Sequence, residues 1–206
     1  MELIRGKDEN GEEILYNKLE DEQVMMEWEK PYMEECIRRL EIIGDVLEIG
    51  YGLGYSSGKI LESREIRSYT VVESEKEVCE YADKELDKVR KERPEIEIRV
   101  VLGRWEDKLS ELGVFDRIFF DDYPYKKYLS LNSYKKEERM SIFVNECISK
   151  HMKRGSRLSY YLQNRSTYDY LENVRCELYS YEYNISSECK YKTDDKRMYV
   201  PIIIKD

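Results

Sequence analysis

The sequence has no long hydrophobic run. No window approaches the roughly 18 apolar residues of a membrane span, and mean hydropathy is −0.76. The opening stretch MELIRGKDENGEE has no secretory h-region, so neither a membrane protein nor a secreted precursor is expected. Histidine occurs once, at His151. It sits in KHMKRG, which reads as the basic C-terminal end of a helix, so a His-based catalytic triad has little to rest on. Cys36, Cys79, Cys147, Cys176 and Cys189 are odd in number, widely spaced and without a CxxC pair. That spacing argues against a zinc site or a disulfide framework and for reduced thiols in a cytoplasmic or nuclear protein, with no metal. There is no basic excess: 35 Lys and Arg stand against 44 Asp and Glu, a net charge of −9. A duplex-coating nucleic-acid binder needs the opposite balance, whereas a basic protein or a cationic small molecule suits it.

What is present is enough for a core. The 206 residues are 41% hydrophobic and include 19 tyrosines, which suits one domain and argues against wholesale disorder. Residues 1–20 are polar, with turn chemistry at Asp8-Glu9-Asn10-Gly11 between the apolar runs Leu3-Ile4 and Ile14-Leu15-Tyr16. They are read as a hairpin or a mobile arm, with a single domain over 21–206. Val24, Trp28, Tyr32, Cys36 and Leu40 recur every four residues, beside Met25, Met33 and Ile37. This predicts an amphipathic helix over about 21–42, kinked or divided at Pro31. Trp28, Tyr32 and Met33 are expected to pack.

From residue 45 the pattern alternates. Short apolar runs at Asp45–Ile49, Ser68–Val72, Ile96–Leu102, Val114–Phe120 and Arg157–Leu162 are separated by helical stretches at about 55–63, 75–92, 105–111 and 134–152. Such alternation means βαβ units and a mostly parallel sheet. Val174–Asn184 and Lys196–Ile204 are two long β-like runs with only a loop between them, so the sheet is expected to end in an antiparallel hairpin.

The strongest local signal is Val46-Leu47-Glu48-Ile49-Gly50-Tyr51-Gly52-Leu53-Gly54, a strand ending near an acidic residue and followed by G-x-G-x-G at a helix entrance. Glycines let the backbone turn sharply and approach a ligand closely. A dinucleotide fingerprint needs a third glycine where Ser56-Ser57 stand, and a P-loop fails at Gly58-Lys59-Ile60. The next strand ends in Val71-Val72-Glu73, which places a carboxylate where it accepts hydrogen bonds from ribose hydroxyls.

An acidic residue before G-x-G-x-G resembles the class I methyltransferase loop that cradles S-adenosylmethionine. Val24-Met25-Met26-Glu27-Trp28-Glu29-Lys30-Pro31-Tyr32-Met33, Gly103-Arg104-Trp105-Glu106-Asp107 and Phe115-Asp116-Arg117-Ile118-Phe119-Phe120-Asp121-Asp122-Tyr123-Pro124 are similar to one branch of that class. The branch comprises the guanidinoacetate N-methyltransferases and the arginine N-methyltransferase 2 type. The fold implied is α/β and Rossmann-like: a seven-stranded, mostly parallel sheet ending in an antiparallel β-hairpin, with an N-terminal helical lid.

The resemblance also implies roles. Glu48, Gly50, Tyr51, Gly52, Leu53, Gly54, Tyr55, Glu73 and Ser74 would hold S-adenosylmethionine, to be released as S-adenosylhomocysteine. Trp105 would wall the adenine and Glu106 would hydrogen-bond beside it, while Met25, Asp121 and Tyr16 would complete the cofactor site. Glu29 would bind the guanidino group, and Asp121 would bind it and accept its proton. Carboxylates suit this chemistry, because a guanidinium is a five-donor fork and a poor nucleophile until a nitrogen lone pair is freed.

Two positions depart from the family. Asp122 replaces a usual Thr, and it would either perturb Asp121 or point to solvent. Leu162-Gln163-Asn164-Arg165 stands where guanidinoacetate enzymes carry a Leu-Thr pair whose backbone receives the substrate carboxylate, so Leu162 and Gln163 are the corresponding substrate-binding candidates. The resemblance leans toward a protein arginine, in a basic protein, as substrate, with guanidinoacetate or another small guanidino compound as the alternative. A base methylase, from the faint likeness of Asp121-Asp122-Tyr123-Pro124 to Asp-Pro-Pro-Tyr, and a non-catalytic scaffold are the other readings.

Overall fold

The computed structural model describes residues 3–8, 10–19, 21–123, 136–165, 171–183 and 196–206. The chain opens with a three-stranded antiparallel sheet of β1 (Leu3–Lys7), β2 (Glu13–Asn17) and β3 (Glu22–Met26). β1 and β2 form a hairpin with Ile4 opposite Tyr16. At its turn Asp8 Oδ1 accepts the N–H groups of Asn10 and Glu12, at 2.8 and 2.9 Å; Glu9 lies outside the described residues.

The helix expected over 21–42 is therefore shorter than its periodicity implied. Residues 22–26 pair with β2 as a strand, Glu27–Glu29 make one 3₁₀ turn, and only Lys30–Leu40 form helix α1. The four-residue recurrence from Val24 to Leu40 runs across two conformations. Pro31 does not kink the helix: it lies in the first turn, where a missing N–H costs nothing. α1 buries Tyr32, Met33, Cys36, Ile37 and Leu40 against α2, β8 and β10, so Tyr32 and Met33 pack as expected.

The remainder is the expected alternation: β4 (Gly44–Ile49), α2 (Tyr55–Leu61), β5 (Ile66–Glu73), α3 (Lys76–Glu92), β6 (Glu97–Leu102), α4 (Trp105–Lys108), β7 (Phe115–Phe120), α5 (Lys136–Glu146), β8 (Met152–Tyr160), β9 (Val174–Glu182) and β10 (Arg197–Lys205). Seven strands make one sheet in the order β6-β5-β4-β7-β8-β10-β9, and β10 runs antiparallel to both β8 and β9. Residues 134 and 135 of the expected helix and Asn184 of the expected strand lie outside the described residues. A π-helical turn, Cys147–His151, closes α5, so β8 starts five residues before the expected Arg157. His151 is buried there, with Nδ1 2.8 Å from the Gly113 carbonyl oxygen.

Side-chain parity divides the core into two layers. Val46, Tyr69, Val71, Phe119, Val200 and Ile202 face α1 to α3 and the small sheet. Leu47, Ile49, Val72, Ile118, Phe120 and Ile203 face the other way, onto Trp105, Phe143 and Val144. Both faces are covered, which is why the strands read as continuous apolar runs.

One fully buried hydroxyl ties α1 to the sheet. Tyr32 donates to the Tyr199 carbonyl oxygen at 2.7 Å and accepts the Leu162 N–H at 2.9 Å. Tyr32→Phe leaves both backbone groups without this partner, and the expected cost is about 1–3 kcal/mol. Urea unfolding should show a lower midpoint at unchanged slope.

Candidate active site

Register across the main sheet builds the site. Ile49 lies opposite both Val72 and Phe120, and Phe120 opposite Tyr160. Gly50, Glu73, Asp121 and Tyr161 therefore follow in one row along the carboxyl edge, where open α/β sheets bind ligands. Backbone bonds continue past the strand ends, from Gly50 N–H to the Val72 carbonyl and from Asp121 N–H to the Ile49 carbonyl, each 2.9 Å. Gly50 has φ +82°, and a Cβ on it would sit 2.0 Å from the Asp121 carbonyl oxygen. Only glycine fits there.

A cavity opens above this row, and the N-terminal sheet forms one wall. Leu3, Leu15, Gln23, Val24, Met25 and Met26 line it, facing Gly50, Gly52, Glu73 and Ser74. Met25 lies on the glycine loop: its sulfur is 3.1 Å from the Leu53 nitrogen and 2.7 Å from where a Gly52 Cβ would be. Glu73 is buried and accepts N–H bonds from Tyr51 at 2.9 Å and Glu75 at 2.8 Å. Burial raises its carboxyl above the usual range, and these backbone bonds oppose the rise.

The expected substrate carboxylates come to the same cavity from separate elements. Glu29, in the 3₁₀ turn before α1, is not a solvated helix residue. It is buried and accepts the Met26 N–H at 2.8 Å. Asp121 follows β7, and both residues line the cavity with Gln163. Leu162 does not line it. Its N–H is bonded to Tyr32 and its carbonyl accepts the Tyr199 N–H at 2.9 Å, so both of its backbone groups are already engaged within the fold.

At the other end, Trp105 is packed edge-on by Phe120 and Phe143, with ring centroids 5.9 and 5.3 Å away. Its Nε1–H points to Asp122 Oδ2 at 3.3 Å. Glu106 pairs with Arg104 at 2.9 Å and Arg139 at 2.7 Å. Burial works to raise the Glu106 carboxyl, but these arginines hold it below the ordinary range. Asp122 neither points to solvent nor stands alone: Arg139 pairs with it at 2.7 Å. Its burial still leaves the carboxyl raised. A nucleoside-bearing ligand suits this lining, with Gly50 and Gly52 at its surface, a buried carboxylate at a strand end and an aromatic wall.

Several expected cofactor residues lie outside the cavity lining. Tyr16 and Leu15 are neighbours on β2, so they face opposite ways. Leu15 takes the inward position, while the Tyr16 hydroxyl bonds Asp21. Tyr51 packs its ring on Tyr81, 6.2 Å away. Leu53 is buried in the core, and Gly54, at φ +82°, starts α2. The Tyr55 hydroxyl reaches Glu13 at 3.4 Å. Arg139 and Met140 of α5 were missed; nothing in their local sequence distinguishes them from other helix residues. Gln23, Val24 and Met26 were missed because β3 read as helix.

Glu48 also lies beneath the loop instead of in the cavity. It is fully buried and accepts the hydroxyls of Ser56, Ser57 and Tyr69, the Ser57 bond at 2.7 Å. It thereby fastens the first turn of α2 to β4 and β5. Burial raises its carboxyl from 4.5 to about 7, against the three hydroxyls. Between those values the native chain keeps a proton that the unfolded chain has released. The stabilisation is complete below pH 4.5 and is lost as pH rises through about 7. Glu48→Gln should remove this dependence, gaining on the order of 3 kcal/mol relative to wild type between acid and mildly alkaline pH. Denaturant titrations of both proteins across that range measure it.

Comparisons with known proteins agree with this layout. Residues 12–172 match the family described as guanidinoacetate N-methyltransferase. Protein arginine N-methyltransferase 2 of Eremothecium gossypii is 32% identical over 123 residues, 55% of this chain. The match covers 27% of that curated relative's length. An O-methyltransferase from Bacillus cereus, solved in complex with SAH, has a TM-score of 0.56 at 11% identity, covering 86% of this chain and 80% of its own. Spermidine synthase from Thermotoga maritima has a TM-score of 0.56 at 16% identity, covering 98% and 72%. At such identities the structural likeness is one of fold, the Rossmann-like class I arrangement. The family match spans β2 and β3 of the small sheet, the glycine loop and Asp121, and the chain belongs to the guanidinoacetate N-methyltransferase family.

Proposed function

We propose that this chain is an S-adenosylmethionine-dependent N-methyltransferase acting on a guanidino group, and that its substrate is an arginine of a basic protein, methylated at the δ nitrogen. One observation carries the guanidino reading: Glu29 and Asp121, from separate elements, line one cavity beside the glycine loop and Glu73. S-adenosylmethionine, when bound, supplies an electrophilic methyl on a sulfonium and leaves as S-adenosylhomocysteine. Gly50, Gly52, Glu73, Ser74 and Met25 would hold it, with Trp105 and Glu106 at the base.

The chain's own part is to grip and orient the guanidinium and to take its proton. Two carboxylates hold a planar fork by charge-assisted hydrogen bonds. Asp121 accepts the proton as a nitrogen lone pair becomes available, and fixed positioning supplies the rest of the acceleration. Asp121→Asn should lose about a hundredfold or more in turnover, with a far smaller loss of S-adenosylhomocysteine affinity in calorimetry. Turnover near wild type would remove Asp121 from the role.

The preference for a protein arginine over guanidinoacetate rests on Leu162, whose N–H is already bonded to Tyr32. That backbone is a poor receiver for the carboxylate a small guanidino acid carries. The arginine N-methyltransferase likeness adds to this, while the family match favours the small-molecule alternative. Labelled methyl transfer separates them: label is expected in δ-N-methylarginine after acid hydrolysis of a basic protein. Label in guanidinoacetate and never in protein selects the alternative.

A further inference from the structure

Trp105 is held from two sides by one helix. On α5, Arg139 and Phe143 are four residues apart and so share a face. Phe143 packs edge-on beneath Trp105 at 5.3 Å, and the Arg139 guanidinium carbon lies 5.7 Å from the centre of the same ring. Phe143 also packs on Phe120 at 4.1 Å, so this anchor reaches the end of β7. Arg139 meanwhile joins the two segments at this end of the cavity. Its Nη2 is 2.7 Å from Glu106 Oε1 and 2.7 Å from Asp122 Oδ2, and its Nε donates to Glu106 at 3.1 Å. The Asp122 oxygen that Arg139 holds is the one facing the Trp105 Nε1–H.

The geometry points to Arg139 as a positioning residue of the transferase, a two-pronged cation that holds Asp122 against Trp105 and Glu106 so that the nucleoside end of the cavity is formed before cofactor arrives. This inference rests on the functional reading above. Without the guanidinium, Glu106 keeps Arg104, but Asp122, largely enclosed, loses its cation and is left facing the like charge of Glu106. Either the indole moves or the carboxylate takes up a proton, and both degrade a preformed wall. Asp122 is also the sequence neighbour of the proposed proton acceptor, so the clamp keeps a second carboxylate occupied beside Asp121. A lysine ammonium can approach both oxygens as Nη2 does, but it lacks the Nε–H that adds the second bond to Glu106 and fixes the orientation of the clamp.

Calorimetry with S-adenosylhomocysteine tests this without methyl transfer. Failure of the wild-type chain to bind would be failure of the functional reading, seen before any variant is made. Given binding, Arg139→Gln should weaken affinity about tenfold or more at unchanged stoichiometry. Asp122→Asn added to Arg139→Gln removes the stranded charge and should recover most of the loss. Arg139→Lys should fall between wild type and Arg139→Gln, and it serves if the glutamine variant does not fold. Affinity within twofold of wild type for Arg139→Gln or Arg139→Lys would overturn the assignment. So would an unrescued double variant, or reduced stoichiometry at unchanged affinity, which is a folding defect.

Discussion

Gly50 leaves no room for a side chain because the Asp121 carbonyl oxygen occupies the place a Cβ would take, and the rest of the site depends on that approach. It lets β4 and β7 stay paired to their last residues, so the glycine loop and the proposed proton acceptor leave the sheet side by side. Glu73 is aligned by the same register on the other side of Gly50. The cavity floor is thus a consequence of backbone pairing. Side chains are added to a geometry that hydrogen bonds have already set.

The second wall is contributed by the N-terminal sheet. Contact between that sheet and the glycine loop is made by Met25, whose flexible thioether lies 3.1 Å from the Leu53 nitrogen and fills the space over Gly52. The small sheet continues directly into the 3₁₀ turn that carries Glu29 and then into α1. One continuous segment therefore brings the loop cover and the carboxylate proposed to bind the guanidino group, and Tyr32 in the following helix anchors it to β10.

Much of this was legible in the sequence because it lies in patterns of parity and turn chemistry. Buried parallel strands appear as unbroken apolar runs, and the loop glycines mark backbone that must turn sharply. Its strand-end position brought Glu73 to attention and the resemblance brought Glu29, Trp105 and Asp121, and all four line the cavity. What was misread has physical causes. A four-residue recurrence spanning Val24 to Leu40 looks helical even where five residues pair as a strand, since nothing local records that β2 is waiting to bond them. Tyr16 and Leu15 were both apolar enough to face the ligand, and only the pleat decides between them. Glu48 is acidic before the glycines, yet three hydroxyls draw it beneath the loop. Arg139 belongs to a helix whose sequence carries no sign that Asp122 and Glu106, 17 and 33 residues earlier, are its partners.

Among the described residues, Glu29, Glu73, Glu75, Glu106, Asp121 and Asp122 line the cavity, against the cations Arg104 and Arg139. These six carboxylates act before any contact is made. In a chain of net charge −9, they focus a negative potential at the mouth of a low-dielectric cleft. Cationic molecules are then drawn to the opening faster than neutral ones of the same size. The gain is one of encounter rate, and it fades with ionic strength as the Debye length shrinks to about 10 Å at 0.1 M. Selectivity for positive charge begins in solution, several ångströms outside the pocket.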